Sequence, residues 1–256
     1  MKNVFLSAMG VCAMLSLMAS CSSTEDSPMN NDGYGTVSLH VSADTQFKSR
    51  AVDESAYSNS DNYTVQILKD GKVVSGMEWK YADIPEELIE LTAGSYQLKA
   101  FYGEDKPAST TSMYVEGIKG FDVNENKTTT AEVSCAPVCA RLTIVGEGMD
   151  EYFSDWKAAI STKALEETTF TYQKGGDPVY LKVDDEESVQ VTFTFTSKES
   201  KKDATLKREY TMSPNEALKI TVKPASPENG SLGITIVVDG STTDKPVDIE
   251  IPSEWV

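Results

Sequence analysis

Alternation of apolar and polar residues is the main pattern along this chain, with turn residues between the alternating runs. A period of two is typical of strands that bury one face. The predicted strands of the first half are Thr36–Ala43, Tyr63–Ile67, Ser95–Tyr102 and Lys127–Cys135. Asp70-Gly71 lies between two β-rich runs and predicts a type I′ hairpin, because both turn residues of that type need a positive φ.

The second half continues the pattern, with predicted strands at Val138–Val145, Val189–Phe195, Leu218–Val222, Leu232–Val238 and Val247–Ile251. Only Met149–Lys163 shows apolar residues at helical spacing, with Tyr152, Trp156 and Ile160 among them. That segment fits a short helix, and it fits equally well a single helical turn that leads into a strand.

Many short strands at intervals of about 8–12 residues indicate an all-β chain of antiparallel β-sandwiches. Ala136-Pro137 marks the expected boundary, because about 100 residues on either side is a typical sandwich size. We therefore predict an N-terminal sandwich over residues 36–136 and a C-terminal sandwich over residues 137–256. The short, apolar linker predicts that the two pack closely.

Residues 1–20 have the features of a secretory signal peptide: Lys2, then an apolar run too short to span a membrane. The run ends in Leu-Met-Ala-Ser before Cys21, which resembles a bacterial lipobox and predicts lipidation of Cys21. The alternative is an ordinary signal peptide that is cut nearby, with Cys21 as an unpaired thiol. Residues 21–35 are polar and acidic, which predicts a flexible tether from the lipid bilayer to the fold.

Charge and composition argue against two classes of function, nucleic-acid binding and histidine-dependent catalysis. With 23 Lys+Arg against 40 Asp+Glu, a net charge of −17 argues against a nucleic-acid partner. The single histidine, His40, is predicted on the polar face of its strand, without the partners of a catalytic triad. We therefore expect no enzymatic activity and no cofactor.

Cys135 and Cys139 would lie about 13 Å apart in one extended strand, too far for a disulfide. Pro137 could bend the chain and bring them together, but we expect buried thiols instead. The acidic run 184–187 predicts a solvated hairpin loop, with calcium binding as a weaker alternative. Trp79 and Tyr81 share one predicted strand face and are candidates for glycan stacking, although such aromatics are more often part of the core.

An ordered set of motifs carries a family resemblance. G-Y-G-T-V-S-L-H-V begins at Gly33, L-T-A-G-S-Y-Q-L-K-A at Leu91, and A-E-V-S-C-A-P-V-C-A-R-L-T-I-V at Ala131. This order resembles the Bacteroidales surface lipoproteins of the DUF4493 type, within the fimbrillin-like group. The resemblance implies two transthyretin-like β-sandwiches, an outer-membrane anchor with exposure at the cell surface, and a role in adhesion or pilus assembly.

In related fimbrillins, a trypsin-like protease cuts after an arginine near the first strand, and a strand from a neighbouring subunit fills the opened groove. Arg50 is the matching position here, so the resemblance implies cleavage between Arg50 and Ala51. The alternative is an exposed arginine in a long loop. Val247–Ile251 is either a donor strand or the last strand of the second sandwich.

Three functions follow from the sequence, and the first is the one we expect. It is a lipid-anchored surface protein of the anchor or tip type that contacts other fimbrillin-like subunits by β-strand addition. The competing function is a glycan-binding accessory lipoprotein for a host or dietary glycan. An enzyme is a distant third.

Overall fold

Strands supply nearly all of the regular structure. The structure is a computed structural model, and it describes residues 33–44, 55–225 and 233–239. Cys21, Arg50, Ala51 and the predicted strand Val247–Ile251 lie outside these residues. The described residues contain no helix of the length and apolar character that crossing a bilayer requires.

Seven strands form the first sheet, and its two parts bury their apolar faces in one core. Strands β7 (Val115–Val123) and β8 (Thr128–Pro137) join the two parts and pair only at Val115↔Pro137 and Glu116↔Ala136. The spatial order is β3 (Lys72–Lys80), β2 (Thr64–Lys69), β5 (Gly94–Tyr102), β7 (Val115–Val123), β8 (Thr128–Pro137), β1 (Tyr34–Ala43) and β4 (Ile89–Thr92).

Two further sheets enclose a second core. The four-stranded sheet has the order β11 (Phe170–Gln173), β10 (Phe153–Ser161), β13 (Glu187–Ser197) and β14 (Asp203–Met212). The five-stranded sheet has the order β16 (Gly233–Asp239), β15 (Ala217–Ala225), β9 (Cys139–Gly146), β12 (Val179–Lys182) and β6 (Ala108–Ser109). The all-β prediction is therefore confirmed.

The predicted alternation matches the burial of side chains in detail. Tyr63, Val65 and Ile67 are fully buried, whereas Thr64 and Gln66 between them are only partly buried. The hairpin at Asp70-Gly71 is also confirmed, because φ is 52° at Asp70 and 73° at Gly71. In this segment, alternation therefore identified both the strand and its inward face, whereas β4, β7, β11 and β14 were not predicted.

Two pairs of strands are parallel, which the sequence did not indicate. Strand β1 runs parallel to β8, and β15 runs parallel to β9. Every other ladder in the described part of the chain is antiparallel, as predicted. Alternation cannot distinguish the two directions, because it depends only on which face a strand buries.

The segment Met149–Lys163 takes the second of its two predicted forms. A 3-10 turn at Met149–Glu151 leads directly into β10. Trp156, Ala158 and Ile160 are all buried, so the period of two decides the structure of this segment. The other short helical elements are α1 (Ser55–Ser58) and 3-10 turns at Ser60–Asn62, Tyr81–Asp83 and Lys163–Leu165.

The two hydrophobic cores divide between Cys139 and Ala140, three residues after the predicted boundary. One contains buried residues between Val37 and Cys139, and the other contains buried residues between Ala140 and Val238. However, β6 precedes the boundary and pairs with β12 in the five-stranded sheet. The division into domains 36–136 and 137–256 stays a prediction, and the described residues lie in one compact unit. Strand β1 begins at Tyr34, inside the predicted tether.

Candidate functional site

The place that β1 occupies between β8 and β4 is the candidate functional site, and we call it the first-strand position. Eight consecutive residues of β1, Thr36–Ala43, pair in parallel with β8. On the other side, Tyr34–Val37 pair antiparallel with β4. The first strand of the described chain is therefore an internal strand of its sheet.

Apolar side chains of β1 fill one side of the first core. Val37 and Val41 are 1% and 3% exposed, and Leu39 and Ala43 pack against the same core. Full burial of one valine stabilises a fold by about 1.5–3 kcal/mol. Removal of β1 would therefore expose an apolar groove as long as the strand.

Hydroxyl groups line the opposite face of β1. The Oγ1 atoms of Thr36 and Thr128 are 2.8 Å apart, and Ser38 donates a hydrogen bond to Thr130 Oγ1 at 3.2 Å. These contacts are exposed and add little to stability, but they align β1 with β8. His40 lies on this face opposite Glu132 and is exposed, as predicted.

The turn between β7 and β8 holds the beginning of β1. The amide of Asn126 donates to the carbonyl of Tyr34 at 2.8 Å, and the amide of Thr36 donates to the carbonyl of Lys127 at 2.9 Å. Gly35 lies between these two bonds. A Cβ atom at Gly35 would lie only 2.3 Å from the carbonyl oxygen of Asn124, so the backbones approach too closely for any side chain.

The end of β1 is held differently, because β4 stops opposite Val37. Beyond that point the amide of Val41 donates to the hydroxyl of Tyr81 at 3.4 Å. The amide of Asp44 donates to the carbonyl of Cys135 at 2.8 Å. Tyr81 therefore satisfies a main-chain group that no strand covers within the described residues.

Trp79 and Tyr81, the predicted glycan-stacking pair, are both half-buried. Trp79 belongs to β3 and pairs with Val65, whereas Tyr81 begins the following 3-10 turn. Both side chains pack against the first core. Glycan stacking on this pair stays a prediction.

Cleavage between Arg50 and Ala51 also stays a prediction. The structure describes the residues on either side of the segment 45–54, which contains this bond. Strand β1 ends at Ala43, and the described chain resumes at Ser55 in α1. A cut in that segment would therefore leave β1 attached to the rest of the protein by non-covalent contacts alone.

Cys135 and Cys139 are buried thiols that form no disulfide, as expected. The Cys135 thiol donates to the carbonyl of Ala100 at 3.5 Å. Burial, with a smaller contribution from the Glu116 carboxylate, raises the pKa of Cys135 to about 12. The Cys135 thiol therefore stays protonated and chemically inert at neutral pH.

The acidic run 184–187 is only partly the solvated loop that we predicted. Asp184, Asp185 and Glu186 are exposed, but Glu187 is 3% exposed. Its Oε1 accepts from the amide of Lys163 at 2.6 Å, and its Oε2 accepts from the amide of Asp184 at 2.8 Å. Both Glu187 oxygens thus fasten backbone turns, and no group of three or more potential metal ligands occurs in the described residues.

A small cleft lies beside β11, away from the first-strand position. Its volume is about 270 Å³, and its lining includes Phe170, Gln173, Asp177 and Thr110. The lining therefore offers an aromatic face together with amide, carboxylate and hydroxyl groups that can form hydrogen bonds. Sequence reasoning missed this cleft because β11 and Thr110 come from segments 60 residues apart.

Sequence reasoning also missed the contact between Gly35 of β1 and the turn that joins β7 and β8. The available signals were Gly35 two residues before the first buried valine and the Asn-Glu-Asn run at 124–126. Asn126 has a φ of 55°, a conformation that asparagine tolerates better than most residues. Only the fold shows that these two segments touch.

The fold and the first-strand position define a class: an all-β protein whose N-terminal strand is embedded in the sheet of its first core. The chain belongs to the family described as a domain of unknown function (DUF4493), whose model matches residues 33–253. This match confirms the family resemblance of the sequence motifs. No curated protein matches the chain.

Several solved structures are similar to this chain at low sequence identity. A candidate adhesin from Bacteroides ovatus is 10% identical with a TM-score of 0.48, over 86% of this chain and 96% of that one. A candidate adhesin from Bacteroides thetaiotaomicron is 13% identical with a TM-score of 0.46, over 84% and 99%. A candidate polysaccharide-binding protein (DUF1812) from the same species is 12% identical with a TM-score of 0.43, over 87% and 100%.

Proposed function

We propose that this protein is a lipid-anchored, fimbrillin-like protein of the cell surface. It acts in adhesion or pilus assembly, as an anchor or tip subunit, by β-strand addition at the first-strand position. Cys21 carries the anchor in the outer membrane before the cut. Cleavage between Arg50 and Ala51 then releases β1 together with the lipidated Cys21, so that strand addition alone holds the cut protein at the cell surface. A strand from another fimbrillin-like subunit takes the place of β1.

The internal place of β1 is the observation that carries the proposal. An incoming strand at this position gains main-chain hydrogen bonds from β8 and β4, and its alternate side chains fill the places of Val37 and Val41. Main-chain bonds for affinity and alternate pockets for specificity are the features of β-strand addition. A cut after Arg50 makes this exchange possible without unfolding the second core.

The composition of the chain allows a sharp test. Arg50, Arg141 and Arg208 are the three arginines of the sequence. Arg141 is 3% exposed in β9, and Arg208 lies within the β13–β14 ladder. An arginine-specific endoprotease should therefore cut the native protein once, after Arg50. When another fimbrillin-like subunit is added, the cut protein should form a complex with it that size-exclusion chromatography resolves.

Arg50→Gln is the matched control, and it should stay uncut and monomeric under the same treatment. Clean cleavage of the native protein without any oligomer, even with other fimbrillin-like subunits added, would exclude strand addition. The anchor has a separate test, in which Cys21→Ala should abolish incorporation of radiolabelled palmitate into the protein in cells.

Glycan binding is the second candidate, and the cleft beside β11 favours it. Sugars bind through contacts of their C–H faces with aromatic rings and hydrogen bonds to polar side chains. A glycan array should show specific binding that Phe170→Ala removes if the cleft is the site, or that Trp79→Ala removes if β3 is the site. A silent array would leave assembly as the supported function.

A further inference from the structure

We propose that the first-strand position accepts only strands that carry glycine at the place of Gly35, followed by apolar residues at every second position. The occupant is an extended segment of a different polypeptide with the pattern glycine, any residue, then three alternating aliphatic residues. This inference deepens the proposed function and rests on it.

The glycine requirement comes from backbone atoms, which cannot move aside as a side chain can. A Cβ at Gly35 would lie 2.3 Å from the Asn124 carbonyl oxygen, 2.8 Å from Val123 Cγ1 and 3.0 Å from the Lys127 carbonyl oxygen. Contacts below 3.0 Å require the neighbouring atoms to shift. Two of these three atoms belong to the turn that joins β7 and β8, so any side chain here would displace that turn.

The same turn fixes the register of the strand. Asn126 donates to the carbonyl before Gly35, and the amide after Gly35 donates to Lys127. A strand that slipped by one residue would turn its apolar side chains away from the core. A slip by two residues in one direction would place Val37 against the Asn124 carbonyl oxygen. In the other direction Gly33 would take the place of Gly35, but Gly35 would then leave the buried place of Val37 without a side chain. The glycine and the buried aliphatic positions together therefore set one register for the whole strand.

The aliphatic requirement comes from burial on the inner face. Val37 and Val41, two and six residues after Gly35, are almost fully buried, and Leu39 between them packs against the same core. On the outer face, Thr36 and Ser38 meet the hydroxyl groups of Thr128 and Thr130. Those contacts are exposed, so many polar residues fit the outer positions.

The last predicted strand of this chain does not meet these requirements. If Val247, Ile249 and Ile251 took the inner positions, Lys245 would fall at the place of Gly35. Pro246 would fall at the place of Thr36, where it has no amide to donate to Lys127. This chain's last predicted strand therefore does not fill the position in a second copy.

The glycine pattern recurs once near the end of the chain, beginning at Gly230. There, however, the side chains of Ile234, Ile236 and Val238 are buried in the second core. That segment has its own place in β16, next to β15. The occupant of the first-strand position is therefore a segment of another protein, which agrees with an anchor or tip subunit.

Peptide exchange on the cut protein tests the proposal. The full chain is cut after Arg50 and incubated with a fluorescein-labelled peptide of residues 33–44, and binding is followed by fluorescence polarisation. The same peptide with Gly35→Ala should bind at least about tenfold more weakly, because overpacking against fixed atoms is costly. A peptide of residues 243–254 should not bind.

A second measurement uses the intact chain and does not depend on exchange. Gly35→Ala should lower the Tm by about 4 °C or more. Gly120→Ala is the matched control, because the nearest atom to its added Cβ is the Tyr96 carbonyl oxygen at 3.9 Å. Its Tm should stay close to that of the native protein.

The outcomes separate the two proposals. If the peptide of residues 33–44 and its Gly35→Ala version bind the cut protein equally well, the glycine requirement is wrong and strand addition stands. If no peptide enters, strand addition is wrong, and the Tm of the intact Gly35→Ala protein decides the glycine requirement alone. Binding of the 243–254 peptide would overturn the choice of a different polypeptide as the occupant.

Discussion

Glu187 carries a carboxylate that is 3% exposed and that accepts hydrogen bonds from two backbone amides. One amide belongs to Lys163 at the 3-10 turn after β10, and the other belongs to Asp184 in its own loop. The carboxylate therefore joins two segments that are more than 20 residues apart. Hydrogen bonds to a charged acceptor are roughly twice as strong as bonds between neutral groups.

Glu187→Ala should lower the free energy of unfolding by about 2–3 kcal/mol, because it leaves both amides without their acceptor. The urea unfolding midpoint measures this loss. Asp185→Ala, in the exposed part of the same loop, is the control and should change stability by less than about 0.5 kcal/mol. Equal effects for the two variants would contradict the role of Glu187.

Cys135 gives the stability of the protein a specific dependence on alkaline pH. Burial raises the pKa of its thiol from the usual 9.0 to about 12. The unfolded chain therefore loses this proton from about pH 9, whereas the folded protein holds it. Because the unfolded state binds fewer protons in that window, the free energy of unfolding falls as the pH rises from 9 to 12.

Cys135→Ala should therefore make stability less dependent on pH between pH 8 and pH 10, even though the variant is less stable at both. Urea unfolding at the two pH values gives the difference. Val133→Ala is the control, because Val133 is buried in the same strand and does not ionise. The same pH dependence in the native protein and in Cys135→Ala would contradict this account.

At the scale of elements, the sequence predicted different amounts of two features, the hairpin between β2 and β3 and the strand β1. The sequence predicted the turn of the hairpin, because Asp-Gly carries its own backbone preference, but not the irregular register between Gln66 and Leu68. It predicted β1 as a strand with its buried face, but not its neighbours β8 and β4. The hydroxyl pairs of β1 and β8 join residues 92 positions apart, and no local pattern carries that information.

Gly71→Ala tests the hairpin. Gly71 has a φ of 73°, and an added Cβ would meet no atom within 4 Å. The expected loss of about 1–2 kcal/mol therefore reflects backbone conformation alone. Thermal unfolding measures the loss, and Gly120→Ala is the comparison because its φ is not in the left-handed region. An unchanged Tm in Gly71→Ala would contradict a type I′ turn.

At the scale of the whole molecule, segments from each side of the predicted boundary contribute to the sheet or the core of the other side. Strand β6 lies before the predicted boundary and joins the five-stranded sheet, and Tyr180 of β12 packs against the first core. Lys182 and Asp105 form an exposed ion pair at 2.8 Å between the same segments, which adds little energy. Shared strands couple the unfolding of one core to that of the other.

We therefore expect one calorimetric transition for the full chain. Val65→Ala in the first core and Val191→Ala in the second should both lower the Tm of that single transition by several degrees, since both side chains are fully buried. Two separate transitions, each moved by only one of the variants, would show instead that residues 36–136 and 137–256 unfold as independent domains.

The sequence by itself determined that this protein is built of strands and, for the strands with clear alternation, which side is buried, but it did not predict β4, β7, β11 or β14. Those properties depend on residues two positions apart, so a local pattern records them. Only the tertiary structure decided that β1 lies between β8 and β4, that Glu187 is buried, and that the turn at Asn124 meets Gly35. Each of these depends on contacts between segments far apart in the chain, where the packing of the whole fold selects the partner.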